Sequence, residues 1–100
     1  MIKANTAKEI TLKSRLGEKN INLTDVDDHL DFLIQERAKK GKTDLIVTDD
    51  QMKNCEDLYY ASHDNVIRTE LRRRYEAMGY DVRFNRDETM KLKDLTLNWG

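Results

Sequence analysis

Arg68, Arg72, Arg73 and Arg74, with Arg83 and Arg86 just downstream, are the densest set of groups in this chain able to do chemistry. A guanidinium fork matches two phosphate oxygens at once, and a basic helix can follow a nucleic-acid backbone. The spacing also offers a plainer account. Asp64 and Arg68, Glu70 and Arg74, and Arg72 and Glu76 are each four residues apart, the distance of pairing along a helix. Consecutive arginines on a helix also point ~100° apart. The reading that follows is a solvated face laced with ion pairs. Binding of an anion or nucleic acid through Arg68, Arg72, Arg73, Arg83 and Arg86 is the alternative.

Other reactive residues carry less. His29, Cys55 and His63 match no metal-ligand spacing, and a zinc site needs three or four ligands. Cys55 is expected as a small buried hydrophobe, and His63 at a helix break in a capping or loop role. The carboxylate pairs Asp27-Asp28 and Asp49-Asp50 fall at expected helix starts, where capping explains them better than acid–base catalysis. There is no glycine-rich phosphate loop, no G-x-S-x-G and no H-E-x-x-H. No enzyme activity, cofactor or metal is therefore expected. Asn22-Leu23-Thr24 is a formal glycosylation sequon that Thr24, read as an N-cap, does not need. Tyr59 and Tyr60, with His63, are the candidate contact for a protein partner. Aromatics are enriched at such surfaces, and two adjacent tyrosines on a helix cannot both face the core.

These residues need elements to hold them. The chain has 100 residues, enough for one domain, 1–100. It is 38% hydrophobic and 37% charged, with net charge -1. No apolar run approaches the ~18 residues of a membrane span, and no signal peptide is expected at the N-terminus. One cysteine excludes an internal disulfide. The charge falls in blocks: +3 over residues 1–20, -5 over 21–36, +4 over 37–43, -5 over 44–64 and +3 over 65–86.

A first helix is expected from Thr6 to Leu16, with Thr6 and Glu9 as a capping box and Gly17 as its stop. A second begins at Thr24 as N-cap and carries Val26, Leu30, Leu33, Ile34 and Ala38 at helical spacing up to Gly41. Its acids lie early and its bases late, as the helix dipole favours. Thr43 to Thr48 reads as a short buried strand. Asp49 and Asp50 open a helical stretch with Met52, Cys55, Leu58 and Tyr59 on one face. Phase is lost across Ser62 to Asn65, and Ile67, Leu71, Tyr75 and Met78 define a new face ending at Gly79. Tyr80, Val82 and Phe84, then Leu95, Leu97 and Trp99, alternate as two strands of a hairpin. The expectation is an α+β fold. Two N-terminal helices precede strand, one or two helices, strand and strand, in a small three-stranded mixed sheet with a parallel crossover and helices on one face.

The C-terminal pattern, Met78-Gly79-Tyr80-Asp81-Val82-Arg83-Phe84 followed by Leu95-Thr96-Leu97-Asn98-Trp99, resembles small α/β proteins of tailed bacteriophages and large DNA viruses. Thr6-Ala7-Lys8-Glu9 and Ala38-Lys39-Lys40-Gly41-Lys42 fit the same pattern. The stretch Asp49 to Ser62 is longer than that pattern has. The resemblance implies a virus-encoded accessory or virion-associated protein, in the host cytoplasm or the virion and not secreted. It would bind a protein of the host or the virion, and it implies no reaction. With nucleic acid as the alternative ligand and no membrane, that is the functional expectation.

Overall fold

The structure is a computed structural model covering residues 1–100. Five helices and three strands follow one another: α1 (Ala4–Lys19), α2 (Leu23–Lys39), β1 (Asp44–Thr48), α3 (Asp49–Met52), α4 (Glu56–His63), α5 (Asn65–Ala77), β2 (Asp81–Arg86) and β3 (Leu92–Asn98). The α+β class is that expected, and so is the order of elements, except that three helices and not one or two stand between β1 and β2.

Helix boundaries differ where a capping signal competes with a neighbour. Thr6 lies inside α1, whose N-cap is Lys3 with no side-chain bond, so the Thr6/Glu9 capping box does not form. Nor does Gly17 stop the helix. The chain turns at Asn20, which takes the left-handed conformation (φ 53°) and returns its N–H to the Leu16 and Gly17 carbonyls. Asparagine tolerates that region better than most residues. The N-cap of α2 is Asn22, whose Oδ1 accepts the Thr24 N–H at 2.9 Å. Gly41 (φ 76°) and Gly79 (φ 99°) do follow the ends of α2 and α5, in the backbone region that favours glycine. The Asp49 stretch is two helices, because Lys53, Asn54 and Cys55 interrupt it.

The sheet is antiparallel throughout, in the order β1-β3-β2. This corrects the expected mixed sheet. β1 and β2 run parallel, but β3 inserts between them and pairs with both. The register sets Leu45, Leu97 and Val82 in one row and Val47, Leu95 and Phe84 in the next. These form the face against the helices. They pack with Val26 and Leu30 of α2, Met52 of α3, Leu58 and Ala61 of α4, and Ile67, Leu71 and Tyr75 of α5. Ile46, expected inside a buried strand, is 51% exposed on the opposite face, because one strand has only one side to bury. Trp99 stacks edge-on against Tyr80, its cross-hairpin partner, at 6.0 Å between centroids. One buried hydroxyl, Ser62 Oγ, has no hydrogen-bond partner. Ser62→Ala is expected to leave stability unchanged or raise it by up to about 1 kcal/mol in urea unfolding, since it removes an unsatisfied buried group.

Both sheet edges are covered by an arginine. Trp99 N–H bonds the Thr43 carbonyl, so the phase of the ladder turns the Asp44 carbonyl outward, where Arg37 Nε donates to it at 3.0 Å. On the other edge Arg72 Nη2 donates to the Val82 carbonyl at 3.0 Å. Unpaired strand edges invite pairing with other chains, and each guanidinium occupies one such acceptor.

Candidate functional site

A cleft of about 770 Å³ opens at the end of the sheet that carries the β2–β3 turn. Its lining draws on five places in the sequence: the start of α3, the outer turns of α4, the first turn of α5, the end of β2, and the turn into β3.

α3 supplies Asp49 and Asp50. Its first residue is fixed by a capping box: Thr48 Oγ1 accepts the Gln51 N–H, and Gln51 Oε1 accepts the Thr48 N–H. α4 supplies Tyr59 and His63, one turn apart on the same face, with rings 4.4 Å apart. His63 Nε2 donates to Asp49 Oδ1 at 2.7 Å, so the imidazole is held between a carboxylate and a phenol ring. The expected capping or loop role is thus replaced by a link from the end of α4 to the start of α3.

α5 supplies Arg68. Its Nη1 donates to the Ser62 carbonyl at 3.0 Å, and its guanidinium lies 6.0 Å from the centre of the Phe84 ring. Burial, then the nearby charge of Arg86, lowers the pKa of Arg68. β2 supplies Arg86, steadied by an Nη1 bond to the Met90 carbonyl at 3.1 Å. That carbonyl belongs to a turn organised by Asp87, whose Oδ1 accepts from the Thr89 hydroxyl and from the Thr89 and Lys91 amides. The Thr89 hydroxyl and the Lys91 amide are also the main reasons the Asp87 pKa is lowered. Lys91 and Lys93 complete the rim.

The arginine cluster therefore divides. Arg73 makes a two-pronged pair with Glu70 (2.6 and 3.0 Å), Arg72 pairs with Glu76 and covers the β2 edge, and Arg83 pairs with Asp81. Arg74 reaches across to Asp27 of α2, not to Glu70, and Asp64 pairs with Arg15 of α1, not with Arg68. Of the three expected helical pairs only Arg72–Glu76 forms. Of the eight arginines, Arg68 and Arg86 alone lack a carboxylate at ion-pairing distance, and both line the cleft.

The residues expected to meet a protein partner divide too. Tyr60 is 44% exposed and stacks edge-on against Tyr59 at 5.7 Å, while Tyr59 is half-buried and His63 lies in the cleft wall. No three His, Cys, Asp or Glu side chains gather to hold a metal ion. Cys55 is half-buried, at the N-cap of α4 and against the core. Sequence reasoning missed Lys91 and Lys93, which lie between the two alternating stretches of the expected hairpin and were given no role. Their signal was proximity to Arg86 across a hairpin. No helix is long and apolar enough to cross a membrane.

Comparison with protein-family models, with curated proteins and with solved structures finds no match to this chain.

Proposed function

We propose that this is a non-enzymatic binding protein whose cleft holds a phosphate-bearing ligand. One observation carries the reading: the two arginines not neutralised by a carboxylate, from α5 and β2, line one cleft together with Lys91 and Lys93. Those four cations have no ion-pair partner. Of the three carboxylates in the lining, Asp49 is bonded to His63, Asp50 to Lys53, and Asp87 to the amides of its own turn. The charge left free is positive, and guanidinium groups bind phosphate oxygens well.

Binding is favoured over catalysis by what surrounds His63. A carboxylate-held imidazole acts as a base when a nucleophile stands at its other nitrogen. The cleft's one aliphatic hydroxyl, Thr48, is committed to capping α3.

A titration with pyrophosphate and with a short single-stranded oligonucleotide, followed by amide chemical shifts, tests this. Arg68→Ala and Arg86→Ala are each expected to weaken binding about tenfold or more, the worth of a charge-assisted hydrogen bond. Arg73→Ala and Arg83→Ala, whose partners are already carboxylates, should change it little. For the oligonucleotide, four phosphate contacts give a slope of log affinity against log salt of about -3. Absence of any titration, or equal sensitivity to Arg73 and Arg68, would overturn the proposal.

A second reading, a protein partner gripped at the same rim, is supported by Tyr60. It is a large, exposed, amphipathic ring beside the cleft wall.

A further inference from the structure

α1 stands apart from the rest of the fold. None of its 16 residues is buried, and everything from Met1 to Thr11 is exposed. Only its second half touches the body, through the half-buried Leu12, Leu16 and Arg15. A helix of this length is marginal in water without tertiary packing, and at ~1.5 Å per residue it is about 24 Å long. The molecule measures 50 × 29 × 25 Å.

Helical phase puts Ile10 on the side away from Leu12 and Leu16, with Lys3 and Lys13 on the same side. Ile10 is 53% exposed, and neither lysine has an ion-pair partner. α2 shows the complementary arrangement. Its core face carries Val26 and Leu30, while Phe32 lies on the opposite face, 60% exposed. Asp25 and Asp28 share that outer face, are exposed, and have no ion-pair partner. One chain thus holds a basic helix face centred on isoleucine and an acidic helix face centred on phenylalanine, where Glu36 and Lys39 pair with each other and leave the charges of Asp25 and Asp28 free. They belong to opposite charge blocks, +3 over residues 1–20 and -5 over 21–36.

We infer that the protein self-associates, the outer face of α1 in one copy lying on the outer face of α2 in a second, with Ile10 against Phe32 and Lys3 and Lys13 beside Asp25 and Asp28. A two-fold axis between the copies makes this contact twice, α1 on α2 and α2 on α1, and that arrangement is the closed dimer of the inference. A second copy is the fitting occupant because the charges that would attract it are the chain's own. Contact of α1 with α1 would oppose like charges.

Sedimentation velocity over a concentration series tests this on the intact chain. The wild type is expected to be a dimer whose dissociation constant rises as salt is raised to about 0.5 M. Ile10→Glu and Phe32→Glu should each raise it at least about tenfold, with unchanged circular dichroism because both positions are exposed. Mixing the two variants is the decisive arm. The Phe32 variant keeps an intact α1 face and the Ile10 variant an intact α2 face, so the mixture recovers one of the two contacts and associates more tightly than either variant alone. A wild type that stays monomeric throughout, a Phe32→Glu protein that dimerises as before, or a mixture no tighter than its components would overturn the inference. If either variant unfolds, Lys3→Glu/Lys13→Glu combined with Asp25→Lys/Asp28→Lys gives the reading instead. The first pair alone should weaken association and the combined variant restore it, and failure to restore also overturns it.

Discussion

Asp27→Ala is expected to lower stability by about 2–3 kcal/mol and the melting temperature by roughly 10–20 °C. Asp27 lies on α2 and holds α5 with both oxygens. The Tyr75 hydroxyl donates to Oδ1 at 3.0 Å, and Arg74 Nη2 donates to Oδ2 at 2.6 Å. Tyr75 is buried, so removing Asp27 leaves its hydroxyl without an acceptor away from water. The Arg74 pair is partly exposed on both sides and adds little beyond this. Tyr75→Phe should therefore relieve much of the Asp27→Ala loss, and a double-mutant cycle by urea unfolding should show coupling well above ~0.5 kcal/mol. Additive losses would show that the tyrosine is satisfied elsewhere. Burial, then the Asp27 charge, raises the Tyr75 pKa far above its ordinary value. A group raised in the folded state contributes fully below its unfolded pKa of ~10, and that contribution is lost as pH rises above it. Absorbance titration should show the Tyr75 phenol ionising only with alkaline unfolding.

The second large effect is expected at Asp64, between α4 and α5. Asp64→Ala should cost about 2 kcal/mol, the upper end for an N-cap. Asp64 is buried. Its Oδ1 accepts the Val66 and Ile67 amides at 2.9 and 3.2 Å, and its Oδ2 accepts from Arg15 at 3.2 Å. It therefore caps α5 and ties down α1 together. Burial alone would raise its pKa, but the two amides and the guanidinium outweigh burial, and the net shift is downward. A lowered carboxyl contributes stability above its unfolded pKa of ~3.9, and loses it as pH falls through the folded value. Asp64→Asn keeps an oxygen for the cap but no charge. The gap between wild type and Asp64→Asn should therefore be full at pH 7 and close as the solution is acidified. In hydrogen exchange, Asp64→Ala should release the α1 amides before those of α5. Equal protection in both proteins would mean that Leu12 and Leu16 alone hold α1.

What could be read from the sequence was set by the range of the interactions involved. The helices announced themselves where periodicity and a closing glycine agreed, as in α2, although its cap is Asn22 and not Thr24. The break at Asp64 was visible as a loss of phase. The start of α1 was misplaced because Thr6 and Glu9 have capping-box spacing, yet nothing upstream obliges the helix to wait for them. The mixed sheet was inferred from chain order, but nothing local to Leu92–Asn98 says that this strand enters between two others instead of joining an edge. The arginine cluster shows the same limit. Its size was obvious, but Glu70, Asp27 and Asp81 select which members are neutralised, and Asp27 lies far away along the chain. Only the folded arrangement leaves Arg68 and Arg86 without a carboxylate.

The position of β3 bears on how the protein is made. Both other strands pair only with it, and β1 waits for partners half a chain length away: Asp44 meets Asn98 and Thr48 meets Asp94. During synthesis the helices can coil as they emerge, because their bonds are local. No part of the sheet can close until residues 92–98 have left the ribosome. Until then Leu45, Val47 and Val82 have no strand beside them. The sheet is therefore the last part of the fold that can form as the chain is made, because its central strand is its last.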